Sequence, residues 1–262
     1  MEILNIIEPE RFRAYILVFM RVVIVLFMFP IFSTKIFPML TKIAFALVLS
    51  LLLYSVVEVD ISRFPMNVID TGRLIIMELM TGLTLGLCVR LFFAIIQFAG
   101  QIVGFQMGFA MINVVDPQTG SNVSIMDQLG YWVCVLVFLT LNGHHVMFLS
   151  MIDSFSVVPI GFFMLQKIMV VKMLSLGADV FMLGIKIGAP IIAALLLTSS
   201  AFGLVARFSP QMNVMIVAFP LKILVGLLFF GFLLEIVIVF TREYIGGLKG
   251  VLMGFLYYAG GG

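Results

Sequence analysis

Charged side chains within long apolar stretches are the residues of this sequence whose type and position could do chemistry. Six of them interrupt runs of Leu, Ile, Val, Phe and Met: Arg21, Glu78, Arg90, Asp153, Lys186 and Glu235. A charge is costly against lipid and usually faces a bundle interior, a water-filled path or a partner subunit. Interior or intersubunit positions are therefore predicted for Glu78, Lys186 and Glu235. Arg21 and Arg90 could instead extend to the membrane surface from near a helix end.

Two further polar residues could also meet a partner. Lys222 would be a partner-facing group on a continuous helix. Asp153 has two possible roles, as a proton relay inside a bundle or as an acceptor of hydrogen bonds from the end of the next loop, and the sequence does not separate them. The candidates for partner contact are therefore Glu78, Asp153, Lys186, Lys222 and Glu235.

Catalytic and metal-binding patterns are absent from the sequence. It contains no G-x-S-x-G, H-E-x-x-H or G-x-x-x-x-G-K-[ST] pattern. His144 and His145 are adjacent, so on a helix they would point about 100° apart and would seldom bind one metal ion. Cys88 and Cys134 lie in apolar runs, where a thiol usually packs as a small hydrophobic group. We expect no enzymatic activity, no cofactor and no metal site.

The composition excludes most soluble classes of protein. Of the 262 residues, 63% are apolar and 11% are charged, whereas soluble domains carry roughly 25% charged residues. So few charges cannot cover the surface of a water-soluble monomer of this size. Disorder requires low hydrophobicity, and a disulfide scaffold requires more than two cysteines. With a net charge of +2 and no basic run, the chain is not suited to nucleic acid.

The elements that must position these residues are apolar stretches typical of membrane-associated helices. Seven are apparent, at about 14–32, 43–57, 74–115, 129–141, 146–165, 180–206 and 212–240. A backbone in lipid must satisfy its own hydrogen bonds, and the alternation expected of a barrel is absent. We predict an all-α protein of hydrophobic helical hairpins, with kinks or breaks at Pro190 and Pro220. The first stretch is expected to be retained, because the residues before it lack the pattern of a signal peptide.

Glycine spacing predicts close contact between helices. Four sets recur at intervals of four residues: Gly82 and Gly86; Gly100, Gly104 and Gly108; Gly184 and Gly188; Gly246, Gly250 and Gly254. On a helix this spacing places small residues on one face, where the backbone of another helix can approach. A turn is predicted separately at Asn142 and Gly143.

The segment 100–120, GQIVGFQMGFAMINVVDPQTG, combines glycines with a cluster of large apolar residues. The cluster comprises Phe105, Met107, Phe109, Met111 and Ile112. Methionine is unbranched and polarisable, so such a cluster can seal a path to ions and still repack around passing chains. The alternative is one more packed helix, which runs into a turn at Asp116 and Pro117.

Three pieces of the sequence resemble the FliR family of the bacterial flagellar type III export gate, which is related to subunits of virulence injectisomes. They are GFQMGFAMINVVDPQTG at 104–120, LNGHHVMFLSMIDSFSVVPIG at 141–161 and GLVARFSPQMNVMIVAFPLKILVG at 203–226. Their combination in this order is more specific than any one of them. Together with the length and the hydrophobic profile, they extend the resemblance over essentially the whole chain.

The resemblance implies a non-enzymatic subunit of a hetero-oligomer. Proteins similar to this one assemble with several copies of FliP and FliQ into a helical cone, beside FlhA and FlhB. The assembly conducts unfolded flagellar proteins across the bacterial inner membrane at the flagellar basal body. Residues 1–262 would form a single FliR-type domain, with a FliP-like part over about 1–180 and a FliQ-like part over 181–262. Members of the family need not cross the bilayer as conventional spans within that complex.

The resemblance also implies a role for the segment 104–120. In the family, a loop of the R subunit closes the pore from within, and that loop corresponds in motif to this segment. The implied plug or gate residues are Gly104, Phe105, Met107, Gly108, Phe109, Met111 and Ile112.

A small-molecule secondary transporter is the alternative function, because charges within apolar stretches would also suit a substrate path. Transporters usually carry an internal repeat with paired broken helices, and no convincing repeat of that kind is found in this sequence. An export-gate subunit is therefore the favoured interpretation.

Overall fold

The fold is helical throughout the residues that the structure describes. The computed structural model describes residues 9–33, 37–57, 67–109, 125–209, 211 and 213–261. Its helices are α1 (Pro9–Met28), α2 (Pro30–Ser33), α3 (Met39–Tyr54), α4 (Val68–Met107), α5 (Ile125–Thr140), α6 (Gly143–Val157), α7 (Lys167–Phe208) and α8 (Val214–Ala259). The predicted all-α fold is confirmed, and each of the seven apolar stretches contributes to a helix.

Three of these helices are much longer than a bilayer is thick. Helix α4 has 40 residues, α7 has 42 and α8 has 46. At 1.5 Å per residue they are about 60, 63 and 69 Å long, whereas the hydrocarbon core of a bilayer is about 30 Å thick. By length and composition the described residues provide three candidate membrane spans, or four if α5 and α6 together form one. Helix α3, with 16 residues, is shorter than the roughly 20 residues that a spanning helix needs.

Pro190 and Pro220 lie inside helices and not at helix ends. Helix α7 continues through Pro190, and α8 continues through Pro220. Of the predicted kinks or breaks, breaks therefore do not occur, and the kinks stay a prediction. A proline in a helix interior removes one backbone hydrogen bond and costs about 3 kcal/mol. Long apolar helices tolerate this cost, because every other backbone group must still be paired within the helix when water is absent.

The connection between α5 and α6 confirms the predicted turn. Asn142 adopts the left-handed conformation, with φ 57° and ψ 27°, which asparagine tolerates better than most residues. The amide groups of His145 and Val146 donate hydrogen bonds to the Asn142 carbonyl oxygen, at 3.0 and 3.4 Å. Helix α6 therefore begins directly after this residue.

The chain divides into two compact units. The first unit comprises Met1–Leu91, Asn142–Leu176 and Ile245–Gly262, and the second comprises Phe92–Leu141 and Gly177–Tyr244. In the first unit, α1 buries Ala14, Val18 and Val22 at helical spacing. In the second, the Phe92 ring stacks on the Tyr244 ring, with 4.2 Å between the ring centroids. The predicted division near residue 180 concerns likeness to two other subunits, and it stays a prediction.

Close helix contacts occur at three of the four glycine sets. A Cβ atom added at Gly82 would lie 3.0 Å from the Arg21 carbonyl oxygen, and one at Gly100 would lie 2.7 Å from the Asp127 Cα atom. At Gly184 it would lie 3.1 Å from a carbonyl oxygen of α4. Because backbone atoms cannot turn aside as side chains can, these glycines allow the helices to approach, as predicted.

Alanine at Gly100 is expected to lower the free energy of unfolding by about 1–3 kcal/mol, because the new methyl group meets the backbone of Met126 and Asp127. Gly203 in α7 is a matched control, since a methyl group there meets no atom of the described residues within 4 Å. Gly203→Ala should stabilise the helix by about 0.5–1 kcal/mol. The thermal unfolding midpoints of the two purified variants in the same detergent measure the difference. Equal midpoints would contradict the close approach at Gly100.

Candidate functional site

A buried polar cluster surrounds Arg21 in the first unit. The side chains of Arg21 on α1 and Glu78 on α4 are 0% exposed. Arg21 Nε donates to Glu78 Oε2 at 2.6 Å, and Nη2 donates to Oε1 at 3.0 Å, so the pair is bidentate. Nη1 donates to the carbonyl oxygen and the hydroxyl of Ser154 at 2.9 and 3.2 Å, and Nη2 also donates to the Val158 carbonyl oxygen at 3.0 Å. Five acceptors therefore match the five N–H groups of the guanidinium.

Two further groups complete this cluster. The backbone amide of Gly161 donates to Glu78 Oε1 at 2.9 Å, and Gly161 holds a φ of 75°, which glycine adopts without strain. The guanidinium carbon lies 4.3 Å from the centroid of the Phe155 ring, which adds a cation–π contact. We name Arg21, Glu78, Ser154, Val158 and Gly161 the arginine cluster. It connects α1, α4, α6 and the loop that follows α6.

The arginine cluster shows which of the positions predicted from the sequence Arg21 and Glu78 occupy. Glu78 was predicted to lie in the interior or against a partner, and the interior position is observed. Its carboxylate oxygens accept hydrogen bonds from its own chain, so Glu78 is not carried forward as a partner contact. The extension of Arg21 to a membrane surface is wrong, because the guanidinium is fully buried and paired.

Helix α4 ends at the start of the predicted plug segment, in the second unit. Gly108 has a φ of 92°. Its amide donates to the Phe105 carbonyl oxygen at 3.0 Å, and the amide of Phe109 donates to the Gly104 carbonyl oxygen at 3.1 Å. This pair of bonds with a left-handed glycine is the Schellman motif, which satisfies the last carbonyl groups of a helix. The sequence therefore stops α4 at a defined residue, Met107.

The predicted plug residues differ in their exposure. Met107 is 0% exposed, and a Cβ atom at Gly226 on α8 would lie 2.6 Å from its side chain. Phe105 is 69% exposed. Met107 therefore anchors the end of α4 within the second unit, whereas Phe105 presents its ring on the surface of this chain. Met111 and Ile112 lie outside the described residues.

A cleft of about 560 Å³ lies between α7 and α8 in the second unit. Its charged lining residues are Lys186, Glu235 and Glu243, and all three are exposed. Its apolar lining residues are Leu183, Ile187, Ile236, Val239 and Phe240. We name this feature the charged cleft.

The structure brings together two residues that the sequence had marked, Lys186 and Glu235, and adds Glu243, which was missed. Glu243 follows Glu235 by eight residues, which places the two about 80° apart around the helix, within one broad face. That spacing is the signal that could have found it.

The other two candidates for partner contact lie apart from that cleft. Asp153 Oδ2 lies 3.1 Å from Nζ of Lys249, with the two side chains 36% and 55% exposed. An ion pair this exposed contributes little to the free energy of unfolding, about 0–1 kcal/mol. Lys222 on α8 is half-buried. Both residues stay predictions as partner contacts.

Both histidines and both cysteines lie in helices. In those ranges, no group of three or more His, Cys, Asp or Glu residues is placed to hold a metal ion. The rings of His144 and His145 are 4.5 Å apart between centroids. Both cysteines are buried, and the Cys134 Sγ atom lies 3.8 Å from the Thr241 hydroxyl oxygen.

The fourth glycine set has an open face. A Cβ atom added at Gly246, Gly250 or Gly254 on α8 would have no heavy atom of the described chain within 4 Å. Gly250 and Gly254 also line a second cleft, of about 410 Å³, with Lys172 of α7 in the first unit. Backbone that neither side chains nor another helix covers is available to a close neighbour.

Comparison with known proteins places the chain in a family. A family model described as "Bacterial export proteins, family 1" matches residues 12–248. The chain is 32% identical over 240 residues to the flagellar biosynthetic protein FliR of Bacillus subtilis, which covers 89% of this chain and 91% of that protein. It is 29% identical to FliR of Pectobacterium carotovorum, over 86% of this chain and 85% of that protein, and 27% identical to FliR of Escherichia coli, also over 86% and 85%. The chain therefore belongs to the FliR family of bacterial export proteins, whose named members are flagellar biosynthetic proteins.

Proposed function

We propose that the chain is a non-enzymatic subunit of the flagellar type III protein export gate in the bacterial inner membrane, at the flagellar basal body. In this role it forms and plugs the channel through which unfolded flagellar proteins leave the cytoplasm. Its partners are several copies of FliP and FliQ, with FlhA and FlhB beside them. The family of export proteins to which the chain belongs supports this assignment.

The observation that carries the proposal is the uncovered apolar surface of α8. Only 17% of its most apolar stretch is buried within the chain, against 61% for α4. Apart from Tyr257, its exposed large apolar side chains lie between Ile216 and Val239, over about 36 Å of helix. Apolar surface of that extent is not left in water. Apolar helices of partner subunits, together with lipid, cover it in the proposed complex.

The open glycine face of α8 supports the same assembly. Close helix packing in apolar surroundings relies on small residues, and Gly246, Gly250 and Gly254 present them with no neighbour in the described chain. The other three sets already contact helices of the same chain. We assign the fourth set to a helix of a neighbouring gate subunit.

The plug is assigned to the segment that begins where α4 ends. Gly104, Met107 and Gly108 fix the end of the helix, through the Schellman motif and the buried Met107 side chain. Phe105 and Phe109 then supply large apolar surface, and Met111 and Ile112 continue the same pattern in the sequence. A ring of flexible apolar side chains stops ions by excluding water and yields to a passing chain.

Protein secretion tests the proposed function. In the source bacterium, deletion of the gene for this chain should abolish the release of flagellar filament protein into the medium. The wild-type chain expressed from a plasmid should restore both secretion and swimming. The Gly203→Ala variant, whose new methyl group meets nothing within 4 Å in the part of the chain that the structure describes, should restore them equally. Continued secretion in the deletion strain would refute the proposal.

A further inference from the structure

The charged cleft places three charges near the middle of two long apolar helices. Lys186 is residue 20 of the 42 in α7, and Glu235 is residue 22 of the 46 in α8. Glu243 follows two helical turns after Glu235, about 12 Å along the axis. When lipid or another helix covers this part of α7 and α8, these charges lose their water and then need an opposite charge beside them.

The described part of the chain does not supply such a pairing. Within the described residues, none of Lys186, Glu235 and Glu243 has a hydrogen bond or an ion pair. All three are exposed on the surface of this chain. Two carboxylates face one ammonium group, so the cleft has a net charge of −1. One additional cation would make it neutral.

The shape and charge of the cleft select the kind of occupant. Its floor is apolar, formed by Leu183, Ile187, Ile236 and their neighbours, and its volume of about 560 Å³ accepts several large side chains. A phospholipid brings an anionic phosphate, which two carboxylates repel. An apolar helix with a single lysine or arginine matches both the floor and the charge.

We propose that the charged cleft binds an apolar helix of a neighbouring gate subunit, and that this helix carries one lysine or arginine that pairs with Glu235 and Glu243. Lys186 balances the second carboxylate, so that two cations meet two anions in a site from which the partner helix excludes water. Such a pair fixes the depth at which the neighbouring helix docks, because a shift by one turn leaves a charge unpaired. The inference rests on the proposed function, since it requires a subunit as the partner.

Charge reversal in the cleft tests this inference. The tagged chain is co-expressed with the FliP and FliQ subunits of the same bacterium, and the amount of each that is recovered with the tag is measured. Glu235→Lys and Glu243→Lys together should reduce the recovery of one partner subunit at least about tenfold, because removing one side of a buried ion pair is strongly destabilising. Asp70→Lys is the control. It makes the same kind of charge reversal at an exposed residue in the first turn of α4, close to a helix end and not in the cleft, and recovery should stay near wild type.

Reciprocal substitution separates a specific pair from a general defect. Glutamate in place of a lysine or arginine in an apolar helix of the affected subunit should restore recovery with the Glu235→Lys and Glu243→Lys chain. Wild-type recovery of both subunits with the reversed chain would overturn the cleft assignment and leave the export-gate function intact. Loss that no reciprocal substitution restores would also overturn it. If the wild-type chain recovers neither subunit, the proposed function itself fails. A phospholipid that stays bound to the wild-type chain in native mass spectra, and is lost on Glu235→Gln, would assign the cleft to lipid instead.

Discussion

Replacing Glu78 with leucine is expected to remove most of the folded chain from the membrane. The substitution leaves the buried guanidinium of Arg21 without its carboxylate, and an uncompensated buried charge costs about 3–5 kcal/mol. It also removes the acceptor of the Gly161 amide. Because a whole domain is stabilised by only about 5–15 kcal/mol, a loss of this size should unfold the first unit in a large fraction of molecules. The amount of chain in membranes and its thermal unfolding midpoint in detergent both measure the effect.

Two control variants make this result specific. Asp153→Leu breaks the exposed pair with Lys249 and should change the free energy of unfolding by no more than about 1 kcal/mol. Arg21→Met combined with Glu78→Leu removes both charges, and should recover part of the stability that Glu78→Leu loses, because no buried charge then remains. A Glu78→Leu chain that melts at the same temperature as the Asp153→Leu chain would show that the arginine cluster does not hold the unit together.

Deletion of residues 108–114 should leave the complex assembled but permeable to ions. The deletion removes Phe109, Met111 and Ile112 from the segment that we assign to the plug. An apolar constriction excludes water and ions only while its side chains fill the path. Met107 and the helix before it are retained, so the packing of α4 against Gly226 should persist. Ion conductance of membranes that contain the deleted chain and its partner subunits measures the leak.

The control for this deletion should change the segment but keep its apolar side chains. Phe105→Leu replaces one exposed apolar side chain by another, and it should leave the ion conductance near the wild-type level. Recovery of the partner subunits must be the same for both variants, which shows that the deletion acts on the path and not on assembly. Conductance that does not rise on deletion would rule out this segment as the plug.

The sequence predicted the fold at the level of helices, because apolar composition and the need to pair every backbone group leave few alternatives. It also predicted the turn at Asn142, whose side chain tolerates the left-handed conformation that the turn requires. Of the kinks or breaks predicted at Pro190 and Pro220, breaks do not occur, because the long apolar helices that contain these prolines continue on both sides. Local sequence signals therefore predicted where helices form, but not that a helix continues through a proline.

The sequence could not predict which charges pair with one another. Arg21 and Glu78 are separated by 57 residues, and Ser154 lies 133 residues from Arg21, so no local spacing indicates that they meet. The burial of Met107 likewise depends on Gly226 of another helix. Periodicity reports one helix at a time, whereas these contacts depend on how helices pack. The small residues at Gly82 and Gly100 indicated that close packing occurs, without naming the neighbours.

Native mass spectrometry of the tagged chain, extracted in mild detergent from its own membranes, tests the central claim most directly. In the proposed complex, partner helices cover the exposed apolar surface of α8 and the charged cleft between α7 and α8. We expect a complex in which a single copy of this chain is accompanied by several copies of two other small hydrophobic subunits. A monomer or a homodimer without such subunits would contradict the export-gate function, and would favour a small-molecule transporter, to be tested by uptake into liposomes.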